Sequence, residues 1–417
     1  METNDRARPG TRSARLWDEV LQIIPWGTQT NSKRPIPALM DVMPFFIETA
    51  HGCRIIDPDG REYIDYRSSQ GPVILGHGFP PVLEAVHAQL ERGVLFSMAS
   101  PLELEVARAI RDMVSHVEMI RFLKTGGDAI SACVRLARTI TGRDHIVITG
   151  YHGWHDAFAS PQSAGVPNAV RELTIRCPYG DDETLDRIFA QHGEKIAAVV
   201  TQPYDGGPDA SGRFPRKVRE VTQEFGALLI FDEIVTGFRM ARGGGAEFFG
   251  VAPDLVAYAK AFANGFPLAA FAGRAKYMKA LDRTLITTTY AGETLSLAAS
   301  LATLQTMREE PVHTEIWQRG SALMEGLASI MRAHDLPGKI VGLAPYFKLA
   351  FLSGDDERDG RLYKAFYSTL LRHGVFTDGF WILSYAHQRN DLEETLAAAA
   401  IAAKEAASVL AKSSHSG

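Results

Sequence analysis

The sequence predicts an α/β fold, with a large, mostly parallel sheet and a smaller α+β domain assembled from both chain ends. Three observations carry that expectation. From residue 118 onward, short apolar runs alternate with helical stretches, as in MIRFL, GDAISACVRLARTI and HIVIT. The later runs KIAAVVTQP, ALLIFDE, DLVAYAK and PLAAFAG are apolar blocks, the mark of strands covered on both faces by helices. The two chain ends read differently, with strands around a turn at one end and long helices with a short strand region at the other.

Taken in order, Leu16–Ile24 reads as an amphipathic helix that Pro25 stops. FFIETAHGCRIID and REYIDY read as strands on either side of Pro58-Asp59-Gly60, where glycine supplies the positive φ a tight turn needs. Helices are expected at Pro81–Arg92, Leu102–Val114, near Val218–Phe225, Glu293–Met307 and Thr314–Ala333. Strands follow at Ile340–Phe351, then a helix at Arg361–His373 and a closing helix from Asp391. The expected partition is a disordered 1–15, an arm and strands at 16–75 that join the small domain, a large domain at 76–310, and the rest of the small domain at 311–417.

Composition narrows the class. With 44 Lys+Arg against 49 Asp+Glu the formal charge is −5, which excludes a strongly basic nucleic-acid binder. Cys53, Cys133 and Cys177 are too few and scattered for a disulfide framework or a cysteine zinc site, and a reducing cytoplasm suits them. No run approaches the roughly 18 unbroken apolar residues of a membrane span. The N-terminus METNDRARPG has no signal-peptide core. A cytoplasmic enzyme, acting on small molecules without membrane or nucleic acid, is the expectation.

Four segments carry chemistry. In LIFDEIVTGFR (229–239), Asp232 ends a buried strand, the edge where open α/β sheets bind ligands, and an acid there can hold a proton on a ligand nitrogen. A capping acid is the plainer alternative. In DLVAYAK, Lys260 follows an apolar strand. Burial there lowers an amine's pKa and frees it to attack a carbonyl, although a surface-seeking lysine fits the pattern too. KTGGDAISACVRLAR (124–138) runs from a strand through Gly126-Gly127 into a helix, a turn suited to an anion; Cys133 falls on that helix's core face. In GYHGWHDAF (150–158), Tyr151 can stack on a flat ring; the His152/His155 pair without further ligands is poor evidence for a metal. A phosphate turn, a stacking aromatic, an acid for a ring nitrogen and a Schiff-base lysine together are what pyridoxal 5'-phosphate (PLP) needs.

At this point the sequence resembles the class III aminotransferases of PLP fold type I, and within them the glutamate-1-semialdehyde 2,1-aminomutase branch. IDYRSSQGPVILGH, YHGWHD, FDEIVTGFR, the lysine segment, TTYAGETLS and ILSYAH occur in the family's order across about residues 20 to 400. The resemblance implies that Lys260 bears PLP and that Asp232 keeps the pyridine nitrogen protonated. It implies that Ile234 and Tyr151 cover the ring faces with His152 nearby, that the Gly126–Gly127–Asp128 turn holds the phosphate, and that Thr289 reaches the partner's cofactor in a homodimer.

The chain departs from the family at Thr125-Gly126-Gly127-Asp128 for Ser-Gly-Thr-Glu, at Gln202-Pro203 for Glu-Pro, at Gln70 for an aromatic after Ser69, and at Gly292-Glu293. Arg389 falls past the place of the family's carboxylate-binding arginine, and Arg34 is a substitute from the N-terminal arm. Glu293, Asp205 and Gln70 with Ser69 point to a polar, partly acidic pocket for a cationic, hydroxyl-rich substrate. That is similar to the aminotransferases and epimerases acting at C6′ of aminoglycosides in antibiotic biosynthesis. A glutamate-1-semialdehyde-type aminomutase and a non-catalytic PLP-fold binding protein are the alternatives.

Overall fold

The computed structural model describes residues 11–413, without the side chains of 411–413. It divides into two compact units, Met1–Phe79 with Thr314–Gly417, and Pro80–His313. The divisions fall at 79/80 and 313/314, against 75/76 and 310/311 expected from sequence.

In the first unit the chain enters through helix α1 (Arg12–Ile23), whose N-cap Thr11 hydroxyl accepts the Ala14 N–H. The expectation of disorder to residue 15 is therefore corrected from Arg12 on, because this cap starts the helix early; residues 1–10 lie outside the described residues. FFIETAHGCRIID is not one strand. It folds back at Gly52 (φ +58) into β1 (Thr49–His51) and β2 (Arg54–Ile56). The next turn follows the sequence expectation. Gly60 takes φ +79, and Asp57 Oδ1 accepts the N–H groups of Asp59 and Arg61, leading into β3 (Glu62–Asp65).

The second unit is the large sheet. Its strands are β4 (Met119–Leu123), β5 (His145–Ile148), β6 (Thr174–Arg176), β7 (Ile196–Thr201), β8 (Leu228–Glu233), β9 (Leu255–Tyr258) and β10 (Ala269–Gly273). They lie in the order β4-β10-β9-β8-β7-β5-β6. Neighbours from β9 through to β6 pair parallel, and β10 is antiparallel to both β9 and β4. Every strand but β10 thus points the same way. All residues of β7, β8, β9 and β10 are buried, which is why these segments read as continuous apolar runs.

The helices of this unit are α2 (Pro80–Leu90), α3 (Pro101–Met113), α4 (Gly126–Thr141), α5 (Asn168–Arg171), α6 (Asp182–His192), α7 (Arg213–Phe225), α8 (Gly244–Phe249), α9 (Ala275–Met278) and α10 (Thr294–Glu309). Ile130, Cys133, Val134 and Ala137 on α4 pack into one core with Ile146, Val200, Ile230 and Phe271 of the sheet. Cys133 is core, as its helical spacing predicted, and all three cysteines are free and buried.

Helix α11 (Val312–Ala333) leads back to the first unit, which is completed by β11 (Gly338–Leu343), β12 (Tyr346–Phe351), α12 (Asp356–Arg372), β13 (Val375–Phe376), β14 (Phe380–Ile382) and α13 (Arg389–Ser413). β13 pairs parallel with β3, closing the sheet β1-β2-β3-β13, while β11, β12 and β14 make a separate antiparallel sheet. Both ends of the chain thus build one unit. Arg54 of β2 reinforces it through ion pairs to Asp391 (2.7 Å) and Glu394 (3.0 Å) of α13.

Candidate active site

Because β4, β5, β7, β8 and β9 run the same way, the segments leaving their C-terminal ends gather on one edge of the sheet. That edge receives the Gly126-Gly127 turn after β4, Tyr151 and His152 after β5, Asp205 after β7, Asp232 on β8 and Lys260 after β9. β8 and β9 are neighbours, so the acid and the lysine leave adjacent strands.

Asp232 is buried with both oxygens engaged. Oδ2 meets His152 Nδ1 at 2.7 Å, and Oδ1 accepts the Ile234 N–H at 3.1 Å. His152 is also buried, and its other ring nitrogen, Nε2, has no hydrogen-bond partner. The Nδ1–H tautomer of His152 donates to Oδ2, and a carboxyl group held in this way can accept a ring N–H. Lys260 is half-buried and sits at φ +56, the left-handed region, at the start of a short 3₁₀ turn to Ala263. A non-glycine residue there stores on the order of 1 kcal/mol of strain, which commonly marks a functional position.

The turn after β4 opens α4. The Thr125 hydroxyl accepts the Asp128 N–H and donates to Asp128 Oδ2 at 2.7 Å. Asp128 is thus tied into the cap, with His155 Nε2 at 3.7 Å from its other oxygen, while His155 Nδ1 meets Ser131 Oγ. Among the described residues, no group of three or more His, Cys, Asp or Glu side chains is placed to hold a metal ion. A Cβ on Gly126 would lie 2.5 Å from Ile234 Cδ1, and one on Gly153 would lie 3.1 Å from Gly127 Cα. Only glycine lets the turn, Ile234 and the histidine loop approach this closely. With the N-terminus of α4, a glycine cradle, a buried acid and an unpartnered buried ring nitrogen on one edge, the residues fit PLP.

Other expected residues fare differently. The Tyr151 ring is 74% exposed and available for stacking; Thr289 is exposed in the segment before α10. Asp205 is exposed, with Oδ1 accepting the Gly207 N–H. Glu293 corrects its expectation. It is the N-cap of α10, accepting from the N–H groups of Leu295 and Ser296 and from the Ser296 hydroxyl, and its Oε2 pairs with Lys124 Nζ at 2.8 Å. Burial pushes its carboxyl up, but the bonds from Lys124 and Ser296 outweigh this and hold it below the usual range. It offers no open carboxylate to a cationic substrate.

Arg34, Ser69 and Gln70 belong to the first unit. Arg34 is exposed and lies over the Trp26 ring at 5.1 Å. Ser68, Ser69 and Gln70 form a left-handed run at φ +43, +55 and +72, held by Asp65 Oδ1 accepting the N–H groups of Arg67 and Ser68. The Gln70 amide accepts from Arg67 and donates to the Ser32 carbonyl. Arg389 is 91% exposed and pairs with Glu393.

Sequence reasoning missed two residues. Lys124 was read only as part of a turn, and its partner lies 169 residues on. Glu233, fully buried beside Asp232, accepts the Gly245 and Ala246 N–H groups at the start of α8 and the Thr236 hydroxyl. Burial lifts its pKa to about 7 against the lowering effect of these bonds.

The architecture and this edge define a class III aminotransferase: the sequence profile of the family "Aminotransferase class-III" matches residues 36–381, and the chain belongs to that family, whose members are PLP-dependent enzymes. Among individual relatives, it is 34% identical to the glutamate-1-semialdehyde 2,1-aminomutase of Akkermansia muciniphila, over 94% of this chain and 98% of that protein. Its fold is similar to FumI of Sphingopyxis sp. MTA144, solved in its PLP internal aldimine form, with a TM-score of 0.89, 32% identity, and coverage of 95% and 96% of the two chains. It is also similar to an omega-transaminase from Sphaerobacter thermophilus, with a TM-score of 0.88, 26% identity, and coverage of 96% and 98%. No helix among the described residues is long and apolar enough to cross a membrane.

Two outcomes follow from this geometry. Gly126→Ala forces a methyl group onto Ile234 and costs about 1–3 kcal/mol of stability. Ile234→Ala in the same chain restores most of that loss, as denaturant titration reads. Glu233 titrates near 4.5 when unfolded and about 7 when folded, so the folded chain holds the extra proton between those values. Its contribution to stability is full below pH 4.5 and is lost as pH rises through 7. In thermal melts, the stability of the native protein relative to Glu233→Gln falls across that window.

Proposed function

We propose that this chain is a cytoplasmic, homodimeric PLP-dependent aminotransferase that moves an amino group onto an aldehyde or ketone carbon of a sugar-like, aminoglycoside-type substrate, or epimerises the carbon bearing the amine. The observation that carries the amino-transfer chemistry is the pairing of Lys260 and Asp232 on the ends of adjacent parallel strands, with His152 fixed on Asp232 at 2.7 Å.

When bound, PLP supplies an electron sink for the pair of electrons left on the carbon bearing the amine once its proton departs. Lys260 would hold the cofactor through its side-chain nitrogen, and Lys260 Nζ, when free, would serve as the general base and acid that takes and returns that proton. Asp232 would accept the ring N–H, and His152, 2.7 Å from Oδ2, orients that carboxylate. Ile234 and Tyr151 would cover the two ring faces. The Gly126 and Gly127 N–H groups, in the turn that Asp128 ties, would receive the phosphate at the start of α4. Thr289 would reach the phosphate held by a second copy of the chain. In support of a dimer, Leu90, Val94, Leu95, Phe96, Met98 and Leu104 leave an exposed apolar stretch that calls for cover.

Two features support a polar substrate without an amino-acid carboxylate. Arg389 is engaged by Glu393 on the outer surface of α13, away from a carboxylate-binding role. Asp205, exposed in the segment after β7, supplies a carboxylate that suits an ammonium group. The 34% identity to an aminomutase favours a second reading, transfer of an amino group within one molecule, with Arg34 binding the carboxylate.

Borohydride treatment of the purified yellow protein, followed by peptide mapping, is expected to place a pyridoxyl group on Lys260; a label elsewhere, or none, overturns the reading. A protein that carries this label yet converts no amine donor, aminoglycosides and glutamate included, is a binding protein rather than an enzyme. Arg34→Ala separates the substrates. It leaves turnover of amino sugars within about threefold in a sugar enzyme and abolishes conversion of glutamate-1-semialdehyde in a mutase, where a charge-assisted carboxylate contact is lost.

A further inference from the structure

The Lys124–Glu293 ion pair joins two places that chain order keeps far apart. Lys124 immediately precedes Thr125, the N-cap of α4, and Glu293 is itself the N-cap of α10. The pair is 2.8 Å long, and its side chains are only 17% and 14% exposed, so salt and water weaken it less than a surface pair. Ser296 Oγ lies 3.3 Å from the same ammonium and donates to the same carboxylate, closing a small network. Helix α10 also packs against the Lys260–Ala263 turn. One contact therefore ties the glycine turn to the helix that supports the lysine.

We propose that Lys124 and Glu293 are positioning residues that set the distance between the phosphate turn and Lys260, and so tune the protein for the phosphorylated form of its cofactor. This rests on the cofactor reading above. The turn would hold PLP by its phosphate and Lys260 would hold it by its aldehyde carbon, so the two anchors must suit one molecule. A turn held in register gains the full phosphate contact, whereas a loose one pays for ordering when the ligand arrives. The pair also keeps an ammonium group one residue from the phosphate turn occupied by its own partner.

The test is titration of the cofactor-free protein with PLP and with pyridoxal, which lacks the phosphate, followed by absorbance. Lys124→Met and Glu293→Gln each weaken PLP binding about tenfold, and the double variant loses no more than either single change, as expected of coupled neighbours. Lys124→Met leaves the α10 cap in place, and Lys124→Arg keeps PLP affinity within about twofold of the native protein because it restores the charge. Pyridoxal binding is unchanged in all of them. Equal losses for PLP and pyridoxal, additive losses in the double variant, or native PLP affinity in Lys124→Met overturn the proposal. Failure of the native protein to take up PLP at all overturns the cofactor reading itself.

Discussion

Strand direction is the constraint on which the candidate site depends. In a parallel sheet every strand must end on the same edge, so five separate loops meet there without any contact between them being needed first. β10 is the exception that makes this work at the far end. By running against both neighbours it lets β4 share the direction of β9 while lying two places away. The glycine turn, the histidine loop, the acid and the lysine then converge although they are spread over more than half of the second unit's sequence. Side-chain contacts refine this arrangement rather than create it.

The refinement follows burial. Asp232 and Glu233 are adjacent residues at the end of one buried strand, yet their surroundings give them different duties. Asp232 meets an imidazole and one backbone N–H, which fix its two oxygens in place. Glu233 meets the open N–H groups of α8 in a fully enclosed place, where desolvation wins and its proton is held to higher pH. One carboxyl is thereby arranged for a ligand and the next for the architecture that carries it. Lys260 shows a related division, since its left-handed backbone is strained and the following residues Ala261–Ala263 are fully buried, which holds the strained turn in place.

Much of this was legible in the sequence, and the omissions have physical reasons. β7, β8 and β9 are covered on both faces, so apolar runs announced them, and the residues at their ends announced the site. The fold class and the core role of Cys133 followed from the same periodicities. Glu293 was misread because a carboxylate's partner is invisible when it comes from another strand; only the folded chain brings Lys124 to it. The break at Gly52 was hidden because a lone glycine in a strand pattern signals a bend only weakly. Helix α6 went unread because its few apolar residues, Leu185, Ile188 and Phe189, sit among charges. The sugar-like substrate rests on the fewest residues, since Ser69, Gln70 and Arg34 lie in a unit whose local turns give composition but no ligand.

The pairing of β3 with β13 has a bearing on how the chain matures. Ile64 has its register partner in Val375, so the first unit's sheet stays one strand short until Val375 has left the ribosome. The second unit is a single continuous stretch and can acquire its structure while synthesis continues. The amino-terminal strands must therefore wait, with their edge unpaired, through the entire translation of the large sheet. Strands β1 to β3 are made before the large sheet and paired in full only after it.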